Sequence, residues 1–330
     1  MKRTNISIFV PHLGCSHRCS FCDQKSISGQ QKAPSPEEVY ALLEEQAPNL
    51  AKKGMTAQIA FFGGSFTAIP REYMTELLSA AKKAMERFPA YTGIRCSTRP
   101  DCIDGEILAL LKEYKMTAIE LGAQSMSDDV LRLNERGHTA EDVRRAALLI
   151  RENGFELGLQ MMTGLYGDTP EKSLYTADEF VKLQPKTVRI YPTVILKNTR
   201  LGELFLSGEY KSFSFDETVE LCAKLLRKFT ENDIRVIRMG LHASRDVERE
   251  MLGGVYHASF CEIVESRVFR GELFGRLKAL PKGDYTVFTD GKNISKVIGQ
   301  KRCNIIWLAE RGYDVKVKET TGKYLEIEGN

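Results

Sequence analysis

Three cysteines stand within eight positions near the start of the chain, in the segment Pro11-His12-Leu13-Gly14-Cys15-Ser16-His17-Arg18-Cys19-Ser20-Phe21-Cys22. Thiolates bind soft metals, and C-x3-C-x2-C spacing lets three of them reach three irons of a cubane cluster. The fourth iron then keeps an open coordination position, which reaction with a ligand requires. No further cysteine precedes Cys96 to close a four-thiolate structural cluster. Zinc is the competing reading, with His12 or His17 as fourth ligand, although structural zinc ligands usually come as two separated pairs. The other five cysteines, Cys96, Cys102, Cys222, Cys261 and Cys303, are scattered and read as core residues.

Other chemically capable residues fall where short apolar runs end. Phe61-Phe62-Gly63-Gly64-Ser65-Phe66-Thr67 puts paired glycines after one run, where bare backbone admits a ligand closely. Ser97-Thr98-Arg99-Pro100-Asp101, Glu120-Leu121-Gly122-Ala123-Gln124-Ser125-Met126 and Ile190-Tyr191-Pro192-Thr193 close later runs, and Gln160 closes another. Arg136-Gly137-His138-Thr139 supplies a guanidinium, whose forked donors match a carboxylate. Tyr191 is placed either in a cavity wall or at a half-buried strand end. Met161 and Met162 read as packing residues, and His138, His242 and His257 as structural histidines.

The elements that must position these residues are legible from periodicity. Candidate strands at 6–10, 58–62, 93–97, 118–122, 155–160, 188–191 and 234–238 alternate with amphipathic stretches. Ser35-Pro36-Glu37-Glu38 offers an N-cap, a proline at the first helical position and a capping-box glutamate. Thr139 begins a second helix, with Val143, Ala146, Ala147 and Ile150 inward and Gly154 after its end; Thr169-Pro170-Glu171 begins a third. Repeated βαβ units imply a parallel sheet, closed into a full or partial α/β barrel or opened as a doubly wound sheet. Either way the reactive groups belong at the C-terminal ends of the strands.

With 330 residues, the chain is long enough for one large domain and a small one. We expect a catalytic α/β region over 1–240, a connecting or lid segment over 241–280 and a small α+β module over 281–330. Hydrophobic residues at 42% and charged residues at 28% are ordinary for a globular chain. No apolar run approaches the length of a membrane span, and the N-terminus lacks the pattern of a secretory signal, so a cytoplasmic protein is expected. The net charge of +3 is compatible with a nucleic-acid partner without requiring one.

C-x3-C-x2-C after the first strand, with aromatic Phe21 before the last cysteine, resembles the radical S-adenosylmethionine superfamily. The motifs Phe62 to Thr67, Ser97 to Asp101, Glu120 to Met126, Arg136 to Thr139 and Ile190 to Thr193 resemble the radical domain of the catalytic subunit of Elongator. They are also similar to the oxygen-independent coproporphyrinogen oxidases. The resemblance implies a partial (β/α)6 barrel, a [4Fe–4S] cluster on Cys15, Cys19 and Cys22, and S-adenosylmethionine on the open iron. A 5′-deoxyadenosyl radical is then the hydrogen-abstracting species, and an electron donor such as flavodoxin or ferredoxin is implied. Phe21, Gly63, Gly64, Ser65, Thr98, Gln124, Arg136 and Gln160 are the implied cofactor contacts, with Arg136 on the methionyl carboxylate and Gln160 near the ribose. Ser65 stands where the superfamily pattern has an acid, so its amino-group contact falls to backbone carbonyls. Tyr191 is the implied substrate-side residue.

The pattern departs from Elongator's subunit in its tighter cysteine spacing and in leaving no room for an acetyltransferase domain, so acetyl transfer is not carried over. In the tail, Val297-Ile298-Gly299-Gln300-Lys301-Arg302-Cys303-Asn304-Ile305 resembles the core of a KH RNA-binding domain, where a Gly-rich loop between helices clamps nucleotide backbone. Arg302 replaces the second glycine. Lys296, Gly299, Lys301 and Arg302, with Lys292, would form a basic edge. The expectation is a radical enzyme that modifies RNA, most simply tRNA. The alternatives are a radical oxidoreductase or transferase on a small molecule and a non-enzymatic metal-binding RNA-associated protein.

Overall fold

A computed structural model describes residues 2–10, 13–15, 19–23, 32–242, 244–322 and 324–329. Chain order runs β1 (Lys2–Val10), α1 (Pro36–Lys52), β2 (Met55–Gly63), α2 (Arg71–Arg87), β3 (Tyr91–Thr98), α3 (Gly105–Glu113) and β4 (Met116–Gln124). It continues with α4 (Asp128–Leu133), α5 (Ala140–Glu152), β5 (Glu156–Thr163), α6 (Pro170–Leu183), β6 (Thr187–Pro192), β7 (Val194–Leu196), α7 (Arg200–Leu206), α8 (Phe215–Glu231) and β8 (Arg235–Met239). The remainder is α9 (Arg245–Glu250), β9 (Met251–Gly254), α10 (Phe260–Leu277), β10 (Gly283–Thr289), α11 (Gly291–Ile298), α12 (Cys303–Ala309), β11 (Tyr313–Glu319) and β12 (Glu326–Gly329).

Seven strands make one parallel sheet in the order β1-β2-β3-β4-β5-β6-β8. Side chains of both edge strands, Ser7 and Phe9 of β1 and Arg238 of β8, line the same cavity. The sheet is therefore curled into a partial barrel, and the doubly wound alternative falls. Helices cover its outer face. Leu43 of α1, Leu77 and Leu78 of α2, Ala147 and Ile150 of α5 and Phe180 of α6 join Ile59, Ile94, Ile119 and Val188 in a single core.

The helix starts follow local chemistry. Ser35 Oγ accepts from the Glu38 N–H at 3.2 Å while the Glu38 carboxylate accepts from the Ser35 N–H at 2.7 Å, a reciprocal cap. Thr139 makes the same arrangement with Asp142, and Thr169 caps α6 through the Lys172 N–H. The register brings the strand ends to one rim, with Val10 opposite Gly63, Thr98 opposite Leu121, Gln124 opposite Met161 and Thr163 opposite Pro192.

The segment after β8 is more structured than the sequence suggests. β9 pairs antiparallel with β7, and Leu241, His242, Val194 and Leu196 form one side of the cavity. α10 then serves two bodies. Its first half packs on α8, where Arg267 meets Glu220 at 2.8 Å. Phe269, Leu273 and Leu277 of its second half enter the core of the C-terminal module with Val287, Val297 and Leu308. That module is a three-stranded sheet, β11-β10-β12, with β10 parallel to β11 and antiparallel to β12. The small core thus draws on residues ahead of 281. Helix α11 turns Asn293 and Val297 inward.

Candidate active site

The cluster loop is fixed by close backbone contact. Leu13 to Cys15 runs over the turn after β2, where the Gly64 N–H donates to the Val10 carbonyl at 3.0 Å and the Ser65 N–H to the Leu13 carbonyl at 3.3 Å. A Cβ on Gly64 would lie 2.1 Å from the Leu13 carbonyl oxygen, and one on Gly14 would lie 2.2 Å from that of Ser65. The two glycine turns are therefore interlocked, and neither tolerates a side chain. The Cys19–Cys22 turn is held separately. The Cys22 N–H bonds the Cys19 carbonyl at 3.1 Å, and buried Ser20 donates through Oγ to Asn134 Oδ1 at 2.8 Å and accepts the Leu201 N–H at 2.7 Å. Asn134, also buried, is itself held by the carbonyls of Val130 and Tyr166.

The three thiols are electrostatic neighbours. Burial, then Cys19 and Cys15, pushes the Cys22 thiol up to about 12. Burial, then Cys19, also raises Cys15, against the Ser65 backbone hydrogen bond and the guanidiniums of Arg99 and Arg136. Thiols raised this way become thiolates once a metal replaces the proton. Among the described residues, no three His, Cys, Asp or Glu side chains converge as the ligands of one ion. Thiolates that each take a different iron of a cubane need no such convergence. His12 and His17, the possible zinc ligands, lie outside the described residues.

Arg136 is buried at the centre of this group. It donates through Nη1 to Cys19 Sγ at 2.9 Å and through Nη2 to the Gly122 carbonyl at 2.5 Å, while Nε has no partner. Its guanidinium therefore lies against one of the three candidate cluster cysteines. Gln124 ends β4 in the left-handed region at φ +66°, beside a register shift, and its buried Oε1 is unpaired. An unpaired buried carbonyl on a strained strand end is a costly feature that a bound ligand would relieve. Phe21, Cys22, Gly63, Gln124, Gln160 and Tyr191 all line one cavity of about 700 Å³. The residues present thus fit a cluster with S-adenosylmethionine: three thiols, a glycine turn beside them, and an unsatisfied buried acceptor on a residue that lines the same cavity.

Not every expected contact faces that space. Ser65 Oγ is buried against Thr98 Oγ1 at 2.9 Å and accepts the Arg99 N–H at 3.2 Å. Thr98 in turn meets Thr67 Oγ1 at 2.6 Å. Both hydroxyls brace the turn after β2 against the end of β3, so their side chains act as supports. The Gln160 amide nitrogen is committed to Ser97 Oγ and to the Glu120 carboxylate, each at 2.9 Å, which leaves only its carbonyl oxygen to offer a ligand. Met161 is core, whereas Met162 faces the cavity. His138 Nε2 meets the Ala123 carbonyl at 3.2 Å, and burial followed by Arg136 lowers its pKa to about 4, so the ring is neutral. His257 Nδ1 accepts the Ser259 N–H at 3.0 Å in a local cap. Cys96 and Cys222 are core residues, but Cys261 and Cys303 are exposed on the first turns of α10 and α12, contrary to expectation.

Sequence reasoning gave no role to the ionic floor of the cavity. Buried Glu120 accepts from Arg95 at 2.9 Å and from Arg189 at 2.5 and 2.9 Å, and Arg95 also pairs with Glu156 at 2.8 Å. The Arg189 guanidinium lies 4.9 Å from the Phe62 ring across the lumen. The available signal was a lone charge in each of three otherwise apolar parallel strands.

In the tail, Gly299 to Arg302 forms the turn between α11 and α12, with Gly299, Lys301 and Arg302 all at positive φ. Arg302 adopts φ +62°, ψ +22°, the conformation for which glycine is suited. Lys296, expected on the basic edge, instead pairs with Glu265 of α10 at 2.9 Å.

The pattern of the radical SAM superfamily covers residues 9–180, and that of the radical SAM C-terminal domain covers residues 185–270. The chain belongs to the radical SAM superfamily. It is an enzyme, and its cofactors are a [4Fe–4S] cluster and S-adenosylmethionine. It is 29% identical over 244 residues to Elongator complex protein 3 of Homo sapiens, covering 68% of this chain and 44% of that protein. It is 30% identical over 187 residues to the tRNA uridine(34) acetyltransferase of Methanocaldococcus infernus, covering 50% and 34%. The chain thus spans less than half the length of either relative. The archaeal Methanocaldococcus infernus Elp3 structure shares the fold, with a TM-score of 0.60 and 21% identity over 84% of this chain and 64% of that one. Among the described residues, no helix is long and apolar enough to cross a membrane.

Proposed function

We propose that this enzyme modifies RNA, and specifically tRNA, by radical chemistry in the cytoplasm. The similarity of its catalytic region to an enzyme named for tRNA uridine carries the reading. The helix–turn–helix with Lys301 and Arg302 at its tip supports it as a second RNA contact. On this reading 1–240 is the radical region, 241–280 walls the cavity and ties it to the tail, and 281–330 engages RNA.

When bound, the cluster and S-adenosylmethionine supply one-electron cleavage of the sulfonium and a carbon radical. The roles proposed for this chain are positional. Cys15, Cys19 and Cys22 would hold three irons, and Arg136 sets positive charge beside Cys19. Arg136 Nε is the donor left for the methionyl carboxylate, and Gln124 Oε1 accepts from the amino group. Gly63 and Gly64 let the methionyl end lie against backbone. The Gln160 carbonyl would be the acceptor offered to the ribose, Phe21 would pack beside the cluster, and Tyr191 would bound the substrate space. An electron donor such as flavodoxin or ferredoxin completes the system.

The test pairs anaerobic reconstitution with RNA. Reduced enzyme is expected to release 5′-deoxyadenosine and to bind total tRNA in a salt-sensitive manner. Modified nucleosides in tRNA from a deletion strain should change. Intact protein that binds no tRNA, with unchanged nucleosides, defeats the reading and favours a small-molecule substrate.

A further inference from the structure

The cavity that holds Cys22 and Gln124 has an unbalanced wall. Of its charged lining residues, Arg95 and Arg189 are matched by Glu156 and by Glu120 directly behind them, and Arg235 is exposed at the start of β8. Arg238, near the end of β8, has no carboxylate partner among the described residues. Among the described residues its one hydrogen bond runs from Nε to the Gly240 carbonyl at 3.0 Å, which leaves both terminal nitrogens without a described partner. His242, four residues on, lines the same cavity, and its ring makes no hydrogen bond among the described residues. Burial, opposed by Tyr191 and aided by Arg189, disfavours the charged form of Arg238, and burial followed by Arg238 and Arg189 disfavours that of His242. A half-buried guanidinium with a free fork, beside an unpaired imidazole and facing open space, lacks an anion.

We propose that Arg238 and His242 form the anion-binding end of the substrate pocket and hold a phosphate of the nucleotide whose base or sugar is presented to the radical. Two guanidinium nitrogens and a ring nitrogen supply three donors, which suits a tetrahedral oxyanion better than a planar carboxylate. The strand supplies the placement. Arg238 is registered opposite Arg189 near the C-terminal end of β8 and lines the same lumen. A phosphate there leaves the centre of the cavity to the rest of the nucleotide. This inference rests on the RNA-modifying reading for the identity of the phosphate's owner, but not for the existence of the subsite.

Equilibrium dialysis of the full-length, cluster-loaded enzyme, with S-adenosylmethionine present, measures uridine 5′-monophosphate against uridine. The monophosphate should bind more tightly by about tenfold or more, the scale of one charge-assisted contact. Inorganic phosphate should compete with the monophosphate and not with uridine. Arg238→Gln should abolish the preference, Arg238→Lys should retain part of it, and S-adenosylmethionine affinity should stay unchanged in both. Equal binding of the two probes by the wild-type enzyme overturns the inference and leaves the tRNA reading standing. So does a preference that survives Arg238→Gln. A parallel loss of S-adenosylmethionine affinity overturns it too, because Arg238 would then serve the cofactor. An Arg238-dependent preference with unchanged tRNA nucleosides in a deletion strain supports the subsite and defeats the tRNA reading, pointing to a free phosphorylated substrate. If Arg238→Gln fails to fold, phosphate competition in the wild-type enzyme and the Arg238→Lys variant still decide the matter.

Discussion

Replacing Glu120 with Gln removes one negative charge from the floor of the barrel at almost constant shape. The carboxylate is 1% exposed and accepts four hydrogen bonds, three from guanidinium nitrogens and one from Gln160. Arg95 keeps Glu156 as a partner, but Arg189, whose side chain is 10% exposed, loses its only carboxylate among the described residues. Breaking a buried pair from one side costs about 3–5 kcal/mol, because the remaining charge is left without compensation. That is a large share of a typical total of about 5–15 kcal/mol. Urea denaturation of the reduced, metal-free protein at neutral pH reads the loss as a shift in midpoint at constant slope. The double variant Glu120→Gln with Arg189→Met should recover most of the loss, since exchanging a whole buried pair for apolar bulk is nearly neutral. The pH sign follows from the carboxyl. Burial pushes it up, but Arg189, Arg95 and Gln160 prevail and hold it below the ordinary value. Its contribution is therefore full above about pH 4.3, the unfolded value, and is lost as pH falls through the lower folded value. A single-variant loss under about 1 kcal/mol, or a double variant no more stable than the single, would refute the assignment of this network as a coupled structural unit.

Three further outcomes are expected. Gly64→Ala forces a Cβ to within 2.1 Å of the Leu13 carbonyl, so the cluster loop must shift; iron and sulfide content after reconstitution should drop, as it should for Cys19→Ala, and full occupancy in either variant contradicts the site. Asp168, whose carboxyl bonds the Gly164 N–H and Ser173 Oγ, is pushed up to about 6 by burial. The fold then tolerates it best protonated, so stability should fall by about 2 kcal/mol as pH rises from about 4 to 6, and Asp168→Asn should flatten that slope in melting curves. Arg302→Gly relieves a left-handed conformation and should stabilise the C-terminal module by about 0.5–1 kcal/mol in denaturant titrations while weakening tRNA binding in mobility shifts. Unchanged tRNA affinity would remove the turn from the RNA surface.

The sequence by itself determined the parallel α/β scaffold, because apolar runs separated by capped amphipathic stretches leave few other ways to bury both faces of a strand. It also marked the three cysteines and the glycine turn beside them as the candidate site, because thiolate spacing and missing side chains are local facts. Gln124 and Arg136 were reachable only through resemblance. Their geometry explains why: one depends on a strained strand end and the other on contact with a cysteine 117 residues away. The tertiary structure alone decided that the sheet curls so that both edges share one cavity. It also turned Ser65 and Thr98 into braces and gave Lys296 to Glu265. The ionic floor lay equally beyond local reading. Arg95, Glu120 and Arg189 are single charges on strands far apart in sequence, and a lone charge in an apolar strand does not reveal its partner. Ser20 and Asn134 are alike in this respect: each is unremarkable in its own segment, and the cluster turn is fixed only where folding brings them together.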